Sequence, residues 1–226
     1  MSKKIVKYNK NIQNTAEEMN NTMILLFGLK LLYYYKEVRP QFSNGKQIIT
    51  WDNHIPDRAN CGPFFTTLKQ YEHILKSGAF HCILFDGSII RSAFIFDSNN
   101  LINHSHLWWP APYNNESYIE EVTPQSKYED FINDSNWKKR LRMRSPIRID
   151  FDPKNMNDNH PLVHMHIQHQ ETRIHIDKPI CFNKFVKYIF QNFYSSIDLD
   201  FRKWNLLDFS YEKSEIYGHI SSRIII

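Results

Sequence analysis

Apolar and polar residues alternate most sharply between Ile147 and Asp177. In Ile147-Arg148-Ile149-Asp150-Phe151-Asp152 every second residue is charged, and Ile, Ile and Phe stand between. Val163-His164-Met165-His166-Ile167 interleaves two histidines with apolar residues, and Arg173-Ile174-His175-Ile176-Asp177 repeats the pattern. A strand sends successive side chains to opposite faces. Arg148, Asp150 and Asp152 therefore share one face of their strand, His164 and His166 share a face, and Arg173, His175 and Asp177 share a face. If these strands are neighbours, one side of the sheet is apolar and the other collects histidines, carboxylates and arginines.

The same reading orders the rest of the chain. Leu25, Leu29 and Leu32 recur at helical spacing within a helix expected over about Ile12 to Val38, with Pro40 stopping it. A short strand is expected at Lys46 to Trp51, a loop from Asp52 to Pro63, and a helix from Phe64 to Lys76 ending at Gly78. Phe80 to Phe85, a two-residue Asp86-Gly87 turn and Ile89 to Phe96 read as a hairpin. Asn99-Asn100 and a third strand, Leu101 to Trp109, extend it into a meander. The polar stretch Asn114 to Lys139 carries a helical piece near Tyr128 to Phe131. Strands at Leu162 to His169 and Thr172 to Ile176 form a later hairpin. Asn183 to Ser195 predicts an amphipathic helix with Phe185, Tyr188, Ile189 and Phe193 on one side. Ile216 to Ile226 reads as a final strand. These elements give an α+β class: a mostly antiparallel sheet whose apolar face is covered by the first and last helices.

The 226 residues suffice for one domain with a real core, and no repeat or long linker divides them. Six glycines, with neither G-x-G-x-x-G nor a P-loop, argue against a glycine-rich nucleotide fold. The charge of +4 allows a polyanionic partner without demanding one. Cys61, Cys82 and Cys181 are isolated, as in reduced intracellular proteins. Met1 to Lys10 lacks the apolar region of a signal peptide, and Met23 to Tyr35 is too short to span a bilayer, so the expectation is a cytoplasmic protein without a membrane partner.

Two motif strings carry a resemblance. Phe85-Asp86-Gly87-Ser88 and Trp109-Pro110-Ala111-Pro112-Tyr113 form the first. The second runs from Pro146-Ile147-Arg148-Ile149-Asp150-Phe151-Asp152-Pro153 through His160-Pro161, His164-x-His166 and Arg173-Ile174 to Asn192-Phe193-Tyr194. Over roughly Lys46 to Ser195 the chain resembles the bacterial domain-of-unknown-function family "twenty-two ninety". The resemblance implies a bacterial setting and no assigned chemistry. Where that family has Arg-Ile-Pro this chain has Arg173-Ile174-His175, which implies that His175 is dispensable. The arginine/aspartate strand and the histidine segment also resemble, locally, small toxins of bacterial toxin–antitoxin pairs.

The residues themselves support two classes of function. Imidazoles on one strand face, about 7 Å apart at the backbone from the strand rise, can converge on one ion or phosphate. Asp150 can orient a histidine or bind a cation, and Arg148 and Arg173 can hold phosphate bidentately. Arg148, Asp150, His164, His166 and Arg173 are thus the candidate catalytic set of a nucleic-acid-directed hydrolase, an RNase-like effector, with a divalent metal as the candidate cofactor. The alternative is a non-catalytic subunit that binds nucleic acid or a partner protein encoded nearby. Against these stand ordinary ion pairs between Arg148 or Arg173 and the aspartates. Asp152 reads as a turn contact and His160 as a turn residue. His104 and His106 have the right alternation but share their face with Trp108. The basic run Lys138, Lys139, Arg140, Arg142 and Arg144 reads either as a solvated surface or as a contact for nucleic-acid backbone. No nucleophile-elbow motif supports Ser/His/Asp hydrolysis.

Overall fold

The computed structural model describes residues 8–52, 54, 67–113, 123–169, 171–200, 202 and 204. Helix α1 (Lys10–Gly28) starts at Asn9, whose side chain accepts the Ile12 N–H. It buries Ile12, Met19, Met23 and Leu26 in one stripe. The helix expected to reach Val38 ends ten residues earlier. Lys30 adopts a left-handed φ of 59°, and the Leu31 N–H returns to the Leu26 carbonyl, which closes the last turn. The aromatic run beyond it becomes strand β1 (Leu32–Tyr35), in keeping with the strand preference of tyrosine.

Strands β2 (Gln41–Ser43) and β3 (Lys46–Ile49) form a small hairpin. Helix α2 (Leu68–Ser77) carries a Thr67–Gln70 capping box and stops at Gly78 in the left-handed conformation. The meander follows as expected, in β4 (Cys82–Leu84), β5 (Ile89–Asp97) and β6 (Asn100–Trp109). The β4–β5 turn spans three residues rather than two. The Leu84 N–H bonds to the Ser88 carbonyl around it, and Gly87 takes φ 89° as its last residue. A Cβ on Gly87 would lie 2.8 Å from the Tyr113 hydroxyl, so both backbone and space require glycine there.

Helices α3 (Pro124–Asn133) and α4 (Trp137–Arg140) precede β7 (Ile147–Phe151). After a short 3-10 turn come β8 (Val163–Ile167), β9 (Ile174–His175) and α5 (Phe182–Phe193). Among the described residues every pairing is antiparallel, in one open sheet ordered β1-β4-β5-β6-β7-β8-β9, with the β2–β3 hairpin joined to β5 through β3. The strand expected at Ile216 to Ile226 and much of the Asp52 to Pro63 loop lie outside the described residues, as do 114–122 of the polar stretch.

One face packs beneath α1 and α5, as the alternation predicted. Phe94, Trp108, Ile147, Ile149, Phe151, Val163 and Met165 meet Met19, Met23, Phe185 and Ile189 there. The buried side of α5 is Phe182, Phe185, Val186, Ile189 and Phe190; Phe193, expected on it, is 45% exposed. A second apolar layer covers part of the opposite face. Tyr71, Ile74 and Leu75 of α2 and Tyr128 and Phe131 of α3 pack over Ile89, Ala93, Leu107 and Trp109. That layer stops at β6. On the same face, β7 and β8 carry polar residues instead.

Candidate functional site

The polar half-face is built by register. Asp150 lies opposite Ser105 of β6 on one side and His164 of β8 on the other, and His164 lies opposite His175 of β9. One pair along, Arg148 lies between Leu107 and His166. Ile147, Ile149 and Phe151 anchor β7 from below, and Val163 and Met165 anchor β8, so the same alternation that fills the core lifts these polar groups to the other side.

The side chains converge on the Asp150 carboxylate. Ser105 Oγ donates to Oδ1 at 2.6 Å, and Arg148 Nε donates to Oδ2 at 2.7 Å. His166 Nε2 lies 3.3 Å and His164 Nε2 4.0 Å from Oδ2. One ligand atom from each of Asp150, His164 and His166 lies within 4.8 Å of the others. Burial works to raise the Asp150 pKa, but His166, the Arg148 charge and the Ser105 hydroxyl outweigh it and hold the carboxyl well below its usual range. Asp150 is therefore ionised at neutral pH.

His164 is 1% exposed, and burial pushes its pKa down to about 4 despite the neighbouring carboxylate. Its Nδ1 sits 2.7 Å from the Pro161 carbonyl. A carbonyl only accepts, so Nδ1 carries the proton and Nε2 turns a lone pair toward Asp150. His166 is 6% exposed; its Nε2 stands 3.3 Å from Asp150 Oδ2, and neither ring nitrogen has a hydrogen-bond partner among the described residues.

Four of the five candidates, Arg148, Asp150, His164 and His166, thus meet in one cluster. Arg173 lies beside it, just before β9. Its Nη1 donates to the Glu171 carbonyl at 3.1 Å, and Nε is buried without a hydrogen-bond partner among the described residues. His160 is a turn residue by its backbone, which pairs with Asn157, yet its ring also packs 4.4 Å from that of His164. Burial first, and the Arg173 charge second, lower its pKa. Asp152 accepts from the Asn155 side chain at 2.7 Å, a turn contact as expected.

His104 and His106 go to the opposite face. His106 places Nδ1 2.8 Å from Ser92 Oγ and Nε2 3.0 Å from the Ile180 carbonyl, and it stacks on Phe185. His104 Nε2 accepts the Ile180 N–H at 3.3 Å. Both are sealed beneath α5, and burial depresses both pKa values, that of His106 to about 4. Ser105, between them, is the site residue that sequence reasoning missed. Its signal was present: if His104, His106 and Trp108 face the core, residue 105 must face the other way.

The first motif string builds something different. Phe85 packs on Tyr194, whose hydroxyl lies 2.9 Å from Asp86 Oδ2 and 3.0 Å from Ser88 Oγ. The Ala111 N–H donates to Ser88 Oγ, and Arg144 bridges the Ala111 carbonyl and Asp86. The first string thus forms a buried knot that Tyr194, the end of the second string, joins to α5, while the Arg148 to His166 part of the second string forms the polar cluster.

The family model described as "Uncharacterized conserved protein (DUF2290)" matches residues 33–222. The chain belongs to the DUF2290 family. The matched region is wider at both ends than the Lys46 to Ser195 span of the quoted motifs. Comparison with curated proteins and with solved structures gives no match. In this DUF2290 protein no helix among the described residues is long and apolar enough to cross a membrane.

Proposed function

We propose that this DUF2290 protein is a nucleic-acid-directed hydrolase that cleaves phosphodiester bonds at the Asp150 cluster. The observation that carries the reading is the pairing of an ionised carboxylate with a buried, neutral imidazole whose Nε2 lone pair faces it, beside an arginine. Phosphodiester hydrolysis needs a group to take a proton from the nucleophile, a group to protonate the leaving oxygen, and positive charge on the phosphate. His164 Nε2 suits the first role, His166 the second, and Arg148 with Arg173 the third.

A polyanionic strand is favoured by what precedes β7. Lys138, Lys139 and Arg142 are exposed, whereas Arg140 pairs with Asp134 and Arg144 with Asp86. The segment runs directly into Arg148, and the Ser145 hydroxyl receives the N–H of Gln168 at the end of the strand that carries His166. Backbone phosphates on this segment would lead a strand toward the cluster. A cytoplasmic defence or toxin–antitoxin role rests on the local toxin-like pattern of the Arg148 and His164 segments.

The test is turnover of labelled RNA and DNA by the purified chain, with a His164→Ala, His166→Ala double variant as control. Cleavage that the variant loses, at a melting temperature within a few degrees of the parent, is the expected result. Nucleic-acid binding without turnover would instead support the alternative, a non-catalytic subunit that engages nucleic acid or a partner protein through this face.

A further inference from the structure

We propose that Asp150, His164 and His166 hold a single divalent transition cation. This deepens the reading of the same site: with a cation bound, the two imidazoles would serve as its ligands in place of the acid and base roles, and the cation would supply the Lewis acid or activated water for phosphodiester cleavage. Three observations carry it, and the first is distance. A tetrahedral shell with bonds of about 2.1 Å sets its ligand atoms about 3.4 Å apart. The Asp150 Oδ2 separations from the two Nε2 atoms are 3.3 and 4.0 Å, and the ligand atoms of all three residues lie within 4.8 Å of one another, so the shell closes by drawing the imidazoles inward.

The second is the tautomer. Donation from His164 Nδ1 to the Pro161 carbonyl leaves Nε2 as the donor atom, which is the backing a metal-bound histidine ordinarily has. Ser105 on Oδ1 and Arg148 on Oδ2 orient the carboxylate in the same way, and Oδ2 keeps a second lone pair. The third is His166. It is more than nine-tenths buried, its Nε2 faces Oδ2, and neither ring nitrogen has a hydrogen-bond partner among the described residues. A buried imidazole in that condition costs stability unless something fills the gap.

Two imidazole nitrogens and one carboxylate suit Zn²⁺, Mn²⁺, Fe²⁺ or Co²⁺ better than the all-oxygen shells of Mg²⁺ and Ca²⁺. Three protein ligands leave positions for water or a phosphate oxygen, as catalytic sites do and closed structural sites do not.

The full chain, purified without a histidine tag and freed of metal by chelation, is titrated with Co²⁺. Visible absorption, equilibrium dialysis and the melting temperature are followed. The expected result is about one Co²⁺ per chain, a ligand-field band typical of four or five ligands, and a higher melting temperature. His164→Gln, His166→Gln and Asp150→Asn should each lose the band, Ser105→Ala should weaken binding by about 10–100-fold, and His175→Ala should bind as the parent does. Far-UV circular dichroism checks each variant's fold; if the histidine variants unfold, Asp150→Asn decides. No stoichiometric Co²⁺, or a band that survives Asp150→Asn, overturns the site. Cleavage that persists in chelator would overturn the cation and keep the hydrolase. Stoichiometric cation with no cleavage would keep the cation and overturn the hydrolase.

Discussion

Asp150 and His164 are direct partners across β7 and β8, with the carboxylate Oδ2 4.0 Å from the imidazole Nε2. The pair stands on the face away from α1 and α5, beside Arg148 and His166. Had the alternation of either strand been offset by one residue, the two would lie on opposite sides of the sheet and no joint chemistry would follow.

Asp150→Asn tests that pair without changing volume. The amide keeps an acceptor for Ser105 or Arg148 but loses the charge that faces both histidines. Turnover should fall to background, with a stability loss of about 1–2 kcal/mol, within the common range for point substitutions. A variant that melts far earlier yet keeps its specific activity would show that Asp150 serves only as the partner of Arg148. Activity assays and thermal melts on the same preparation separate the outcomes.

His106→Ala should do the reverse. It strips Ser92 Oγ and the Ile180 carbonyl of a buried partner and leaves a void against Phe185. A loss of about 2–4 kcal/mol is expected from the cavity and the orphaned groups together. Specific activity per folded molecule should stay at the parent level, because His106 is on the other side of the sheet. Denaturant titration combined with an active-fraction assay reads both quantities.

Stability should fall on acidification between about pH 6.5 and 4. His106 and His164 ordinarily titrate at 6.5 and are held down to about 4, while His81 is held down to about 3, chiefly by burial. Below 6.5 the unfolded chain takes up protons that the folded chain refuses, so the folded state loses ground until its own pKa is reached. For His106 alone a depression to about 4 corresponds to about 3 kcal/mol. Melting temperatures from pH 7.5 to 4.5 should decline with a slope that His106→Asn reduces. A flat profile would contradict the burial assigned to these rings.

Replacing Lys138, Lys139 and Arg142 together with alanine should weaken nucleic-acid binding most at low salt. Each phosphate contact contributes about 0.7 to the log–log salt slope for single strands. The slope should therefore flatten by up to about 2, while cleavage of a small diester substrate stays unchanged. An unaltered slope would mean that these side chains are merely solvated.

Strands β4 and β5 are buried on both faces, but β7 and β8 set polar residues on one face against core residues on the other, and that writes itself as alternation. Arg148, Asp150, His164 and His166 were visible for that reason. The end of α1 was not: Leu29 to Tyr35 continues the apolar run, and the reversal uses a left-handed lysine where glycine is the usual marker. β2 is three residues long, too short to show a period. In the site, Ser105 was hidden between two histidines that drew attention to themselves while packing into the core. His160 was legible as a turn residue, but the approach of its ring to His164 depends on how the chain re-enters β8, which no local pattern encodes.

The two faces of β7 and β8 also divide the labour of inheritance. Ile147, Ile149, Phe151, Val163 and Met165 hold the register from the α1–α5 side, and none of them reaches the polar cluster. Residues 148, 150, 164 and 166 stand on the other face and take no part in that lock. A scaffold arranged in this way lets its chemistry drift, lapse or be rewritten while the shape persists, so descendants of one fold can share a silhouette and differ in trade.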